Sequence, residues 1–154
     1  MEMTHQDYMR LAIGEAKKAR DKDEVPVGAV IVRDGAVIGR GHNLRETQRD
    51  PTAHAEMIAL KAAAGAVCDW RLDGCRMYVT LEPCPMCAGA IALARIDAVF
   101  FGAFDERIGC AGSVYELCGD AQLGNGTSVI GGILEEECVA LLKTFFIRKR
   151  EPSL

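Results

Sequence analysis

His54 and Glu56 lie in Thr52-Ala53-His54-Ala55-Glu56, and Cys84 and Cys87 lie in Thr80-Leu81-Glu82-Pro83-Cys84-Pro85-Met86-Cys87. One imidazole and two thiolates form a ligand set for zinc. Three protein ligands leave the fourth tetrahedral position open for water, the arrangement of a catalytic site rather than a closed structural one. Zinc lowers the pKa of such a water, so hydroxide becomes available near neutral pH. Glu56 is not needed as a ligand and is free to carry protons between that water and a substrate. The chemistry these four residues suggest is metal-assisted hydrolysis. Each piece alone has a plainer reading. A lone H-x-E is weak evidence, and C-x-x-C also serves redox proteins. Cys75 or Cys110 could close the coordination as a structural Cys₃His site. An upstream H-x-E combined with Pro83 at a strand-to-helix junction favours the catalytic reading.

These residues must be brought together by particular elements. Cys84 and Cys87, three apart, share one face of a helix beginning at Pro83-Cys84 and running to about Ala94. At the N-terminus of that helix the dipole favours thiolates. His54 and Glu56 are two apart, about 200° of rotation on a regular helix. They reach one site only if His54 sits at the frayed first turn of a helix over Ala53 to Gly65, and Pro51-Thr52 supplies start residues there. Upstream, Tyr8, Leu11, Ala12, Ala16 and Ala19 recur at helical spacing, predicting a helix from Met3 to Lys22, with Pro26 as a stop. Val27 to Val32 and Ala36 to Gly41 read as a hairpin around Asp34-Gly35, and Asn43 to Pro51 as a polar loop. Arg76 to Leu81 and Asp97 to Gly102 read as strands, Ser113 to Cys118 as a short helix, Val129-Ile130 as a weak strand and Leu134 to Arg150 as a final helix. Strands alternating with helices after a hairpin imply a mixed sheet covered on both faces.

The chain has 154 residues, 49% hydrophobic and 26% charged, which predicts a single globular domain over 1–154. No apolar run reaches membrane-spanning length, and Asp7, Arg10 and Glu15 interrupt any leader-like core. Seven scattered cysteines, an odd number, read as reduced thiols in a cytoplasm. Net charge −4 argues against nucleic-acid binding by a global positive field and leaves room for a local basic patch. Cys68, Cys118 and Cys138 read as small buried hydrophobes, Trp70 as core, and His5 and His42 as surface or satisfied histidines. Arg148-Lys149-Arg150 reads by default as a solvated helix end.

The pattern H-x-E…P-C-x-x-C is that of the zinc nucleobase deaminases, of which base-flipping adenosine deaminases are a known example. Beyond it the chain resembles the bacterial tRNA-specific adenosine deaminases along nearly its whole length. The resemblance runs through Glu24-Val25-Pro26-Val27-Gly28-Ala29, Gly41-His42-Asn43, Asp50 to Glu56, Trp70-Arg71-Leu72, Tyr78 to Cys84, Met86 to Ala90, Phe101-Gly102-Ala103, Gly109 to Ser113 and Phe145-Phe146. It implies a three-layer α/β/α, cytidine-deaminase-like fold with a central mixed five-stranded sheet. It implies a homodimer acting on the wobble adenosine of a tRNA anticodon stem-loop, with one zinc per subunit. Hydroxide on the zinc, held by His54, Cys84 and Cys87, would attack the amine-bearing carbon while Glu56 shuttles protons. Asn43 would hydrogen-bond the base and Asp105 would contact the ribose or backbone. Val27, Leu81 and Phe146 would line the apolar wall, and Arg148 to Arg150 would meet phosphates. The chain departs from the family pattern at Phe104, at Asp97-Ala98 and over Leu123 to Gly126. Phe104 suits either stacking on a neighbouring base or packing. Two other functions share these motifs. A free-base deaminase (guanine or cytosine type) needs no ribose or phosphate contacts. A silent zinc-stabilised RNA-binding module has no use for Glu56.

Overall fold

The computed structural model describes residues 2–150. Helix α1 spans His5–Asp21 and strands β1 and β2 span Gly28–Arg33 and Ala36–His42. They are followed by α2 (Arg45–Gln48), α3 (Ala55–Val67), β3 (Cys75–Leu81), α4 (Pro85–Leu93), β4 (Ala98–Ala103), β5 (Ser128–Ile130) and α5 (Glu135–Arg150). The sheet order is β2-β1-β3-β4-β5. β1 runs antiparallel to β2 and β3, while β3, β4 and β5 are parallel, so the sheet is mixed and five-stranded as expected.

Alternation along the central strands separates two cores. Ala29, Ile31, Met77, Val79, Val99 and Phe101 face α3 and α4, where they meet Ala59, Leu60, Ala63, Ala88 and Ile91. Val30, Val32, Tyr78 and Phe100 face α1 and α5, where they meet Tyr8, Met9, Ala12, Ile13 and Cys138. The result is three layers, with the sheet between two helical layers. Both faces of β1 and β3 are covered, which explains the unbroken apolar stretches Ala29 to Val32 and Met77 to Val79.

Local chemistry sets the ends of the elements. Thr4 caps α1 through a reciprocal pair: its hydroxyl accepts from the Asp7 amide at 3.1 Å and its amide donates to the Asp7 carboxylate at 2.9 Å. The helix ends at Asp21, before Pro26, where Asp23 turns left-handed (φ 62°). Three expectations need correction. Ser113 to Cys118 is not a helix; it is a set of turns with one isolated bridge between Ala111 and Glu116. The reason is local competition: the Ala111 and Ser113 amides donate to Glu82 rather than to a helical ladder. Trp70 is not core. It is 56% exposed in the turn after α3, with Arg71 over its ring at 4.6 Å. Cys68 is also exposed, because it is the left-handed C-cap of α3. Cys118 and Cys138 are buried. His5 stacks on Phe100 and bonds Tyr78 Oη at 2.8 Å, while His42 lies between Glu15 and Lys22. The polar loop after β2 contains α2.

Candidate active site

Two helix N-termini meet at the C-terminal end of β3. His54 is the N-cap of α3, with an extended backbone (φ −80°, ψ 154°). It therefore lies off the helical spiral, and Glu56 follows within the first turn. This is how residues two apart reach one point. Cys84 is the N-cap of α4, Pro85 occupies the first helical position, and Cys87 sits one turn in. His54 Nδ1 lies 3.5 Å from Cys84 Sγ and 3.6 Å from Cys87 Sγ. Bonds of about 2.0 Å to nitrogen and 2.3 Å to sulfur at a tetrahedral centre place such donors roughly 3.5 Å apart. The soft nitrogen and sulfur donors thus suit zinc in both type and spacing. Among the described residues, His54, Cys84 and Cys87 are the group able to hold a metal, their donor atoms lying within 4.8 Å of one another. Cys75 and Cys110 stand outside that group; the Cys110 thiol points to the Ile108 carbonyl at 3.5 Å.

Electrostatics divides the site into distinct roles. A hydrogen bond from Cys87, with help from His54, holds the Cys84 thiol down to about 4, against the effect of burial. Cys84 is therefore a thiolate at neutral pH. Its partner Cys87, tied to that thiolate and buried, is pushed up. The hydrogen bond to Cys84 also raises His54, against burial. Glu56 is buried at 4% exposure, and burial pushes its carboxyl up to about 7. A carboxyl poised there can both take and give a proton near neutral pH.

Above these groups opens a cavity of about 300 Å³, at the small end for ligand pockets. Val27, Leu81 and Phe146 all line it, as do Asn43 and Asp105. The five residues come from β1's leading edge, the end of β3, α5, the end of β2 and the segment after β4. Asn43 is anchored at both ends of its amide: Nδ2 donates to the Val25 carbonyl at 3.2 Å and Oδ1 accepts from the Arg45 amide at 3.1 Å. One N–H and one lone pair remain for a ligand. Asp105 Oδ1 accepts from the Arg107 and Ile108 amides. Phe104 points away from this lining. It is 49% exposed and meets Phe101 edge-on at 4.9 Å, so its inner side is packed. In the basic tail, Lys149 pairs with Asp23 at 2.5 Å, so the helix end is not wholly solvated.

Sequence reading missed several residues of this pocket. Val25, Arg45, Arg107 and Ile108 also line it. Glu82 forms part of the wall, and burial would raise its carboxyl. Hydrogen bonds from Ser113 and from the Asp105 and Ala111 amides outweigh burial and hold it below the ordinary range. Glu82 therefore stays ionised where Glu56 titrates. Its position two residues before Cys84 was the available signal, but nothing in its type announced burial.

Residues 2–103 match the family described as the cytidine and deoxycytidylate deaminase zinc-binding region. The tRNA-specific adenosine deaminase of Bacillus subtilis (strain 168) is 51% identical over 148 residues, covering 95% of this chain and 92% of the relative. The chain belongs to this zinc-binding deaminase family, among its tRNA-specific adenosine deaminases. A solved structure from a study of A-to-I editing by tRNA:A34 deaminases at the wobble position matches this deaminase at TM-score 0.84 and 41% identity. That match covers 88% of this chain and 98% of the solved one. A guanine deaminase of Bacillus subtilis matches at 43% identity and TM-score 0.64, over 66% of each chain. The three-layer arrangement is thus the cytidine-deaminase-like fold, and the His-Cys-Cys cluster lies within the residues matched by the family's zinc-binding region. Among the described residues, no helix of this deaminase is long and apolar enough to cross a membrane.

Proposed function

We propose that this chain is a hydrolytic deaminase that converts the wobble adenosine of a tRNA anticodon to inosine. The observation that carries the reading is Glu56, a buried carboxyl that is not a ligand, set beside three soft donors on the floor of a base-sized cavity. When bound by His54, Cys84 and Cys87, zinc supplies the Lewis acid that makes water a nucleophile near neutral pH. Glu56 accepts the proton of the attacking water and delivers it to the ring nitrogen beside the reacting carbon. A carbon–oxygen bond forms; Glu56 then takes the remaining proton of the new hydroxyl and passes it to the amine, so that the carbon–nitrogen bond breaks, ammonia leaves and a carbonyl remains. Val27, Leu81 and Phe146 enclose the flat faces of the base and exclude water. The free amide atoms of Asn43 read its edge, and the Asp105 carboxylate accepts from a ribose hydroxyl. Unpaired anticodon bases suit such a pocket because they are extruded at little cost. Arg148 and Arg150, in the last turn of α5, meet RNA phosphates.

The chain acts as one deaminase domain, paired in a homodimer. Leu93, Ile108, Val114 and Tyr115 are all exposed apolar side chains that a second copy would cover. Seven free cysteines suit a reducing cytoplasm. The identity to a guanine deaminase supports a second reading, deamination of a free base, over a shorter part of the chain.

One assay separates the two. An in vitro transcribed tRNA with an ACG anticodon is incubated with the enzyme, with free guanine, cytosine and adenosine in parallel. Inosine at the wobble position, abolished by Glu56→Ala, is the expected result. Ammonia from a free base with an unchanged tRNA would overturn the RNA assignment and keep the hydrolytic chemistry.

A further inference from the structure

Two buried carboxylates flank the pocket without reaching the reacting centre. Glu24 is 1% exposed and Glu82 is 2% exposed. A buried carboxylate is costly unless its oxygens are hydrogen-bonded, so the identity of the donors is informative. Glu24 accepts the Glu46 amide at 3.1 Å and the Thr47 amide at 2.7 Å. These are early amides of α2, whose own N-cap, Leu44, offers no side-chain bond. The segment held this way carries Asn43 and Arg45, and Asn43 also donates to the carbonyl of Val25, the residue after Glu24. Glu82 accepts the Asp105 amide at 3.0 Å, the Ala111 amide at 3.1 Å, the Ser113 amide at 3.0 Å and the Ser113 hydroxyl at 2.5 Å. Both ends of the loop bearing Asp105, Arg107 and Ile108 are therefore tied to one side chain. Gly109 makes room for it: a Cβ there would stand 2.4 Å from Glu82 Cδ.

The arrangement is paired. One carboxylate gathers the backbone of the Asn43 side of the pocket, and the other gathers the Asp105 side. Each oxygen of both carboxylates accepts at least one hydrogen bond, and the four bonds to Glu82 use its full acceptor capacity. The geometry points to Glu24 and Glu82 as positioning residues that set the two jaws of the substrate pocket, and so govern how tightly the target nucleotide is held. This rests on the reading of the pocket as a nucleotide site. It goes beyond that reading by assigning recognition to residues other than those given a bond to the nucleotide. Each acts through the backbone it organises rather than through the reacting atoms. A defect in either therefore weakens binding more than turnover.

The test compares Glu24→Gln, Glu82→Gln and wild type, all loaded with zinc, by steady-state kinetics on an anticodon stem-loop and by amide hydrogen exchange. Glutamine keeps one acceptor oxygen and turns an NH₂ toward amide donors. The expected result is a KM raised about tenfold to a hundredfold, from losing charged hydrogen bonds, with a smaller change in kcat and unchanged zinc content. Exchange should quicken at Glu46 and Thr47 only in Glu24→Gln, and at Asp105, Ala111 and Ser113 only in Glu82→Gln. A KM equal to wild type, or a loss confined to kcat that tracks lost zinc, would overturn the proposal. If Glu82→Gln does not fold, Ser113→Ala removes one donor and should raise KM by a lesser factor; an unchanged KM there overturns the Glu82 half. Wild type that makes no inosine counts against the RNA reading alone. Exchange then decides the positioning roles, and absence of segment-specific loosening rejects them.

Discussion

Glu56 and Cys87 are neighbours, yet substitution should expose opposite kinds of failure. Glu56→Gln keeps shape and burial and removes the proton carrier. Deamination should fall by about 10²–10⁴-fold, the usual worth of a positioned acid–base group, while zinc per chain stays at the wild-type level. Metal analysis beside a rate assay checks both halves, and normal turnover would refute the mechanism. Cys87→Ala should instead lose zinc, because Cys87 supplies one of three donors. A metal held by these three residues would join the starts of α3 and α4, so stability should fall with its loss, by roughly 2–4 °C in Tm per kcal/mol lost. Full zinc stoichiometry in that variant would remove Cys87 from the ligand set. Asn43→Ala tests the proposed base contact. Its activity should drop with zinc content intact, and unaltered kinetics would end its assigned role.

At the scale of elements, the site depends on how closely α3 lies on β2. Gly41 permits that approach: a Cβ there would stand 2.3 Å from the Ala55 carbonyl and 2.8 Å from the Ala59 amide. Ala55 lies between His54 and Glu56. Gly41→Ala must push the start of α3 back by about 1 Å to restore contact distance, and a misplacement of that size can cost about a hundredfold in rate. Activity should therefore suffer far more than secondary structure, which circular dichroism would report as unchanged. A variant with wild-type kcat would show that the contact does not set the site. The two N-caps make the same point about elements. His54 and Cys84 stand at non-helical positions because each begins a helix, and that places their side chains ahead of the helix rather than around it.

For the whole molecule, pH sensitivity follows from the buried acids outside the metal cluster. Burial alone would raise Glu24, but the Thr47 and Glu46 amides and the charge of Arg45 bring it below its ordinary 4.5. Glu15 is likewise lowered, by Lys18 and His42 acting against burial. A folded value below the unfolded one means that stability is present above about pH 4.5 and lost as pH falls through the depressed folded value. Tm should thus hold steady near neutrality and drop steeply in acid. Glu24→Gln should lower Tm at pH 7 by leaving amide donors poorly matched, at a cost of about 1–3 kcal/mol. It should also flatten the acid limb, and an acid limb identical to wild type would show that Glu24 does not titrate with unfolding. Light scattering at micromolar concentration should give twice the chain mass, and Tyr115→Asp should shift it toward the single chain. A monomeric wild type would exclude the homodimer.

Much of this protein was legible as residue types and spacings. Two cysteines three apart, a histidine and glutamate two apart, and an alternation of short strands with helices are local patterns, and local backbone geometry translates them directly into shared faces and helix starts. The same holds for the layers, since strand alternation in β1, β3 and β4 already assigns each residue to one core. What the spacings left undecided depended on contacts between segments far apart in the chain. Ser113 to Cys118 reads as helix until Glu82, some thirty residues earlier, withdraws the amides a helix would need. Trp70 reads as core until the turn after α3 leaves it outside between two arginines. The burial of Glu24 and Glu82, the raised carboxyl of Glu56 and the convergence of Val27, Asn43, Leu81, Asp105 and Phe146 on one cavity have the same origin. The sequence by itself determined the layers and singled out the candidate ligands and proton carrier, because these follow from chemistry and periodicity along the chain. Only the tertiary structure decided which charges are buried and which backbone amides answer them, because desolvation and hydrogen bonding depend on neighbours that only folding brings together.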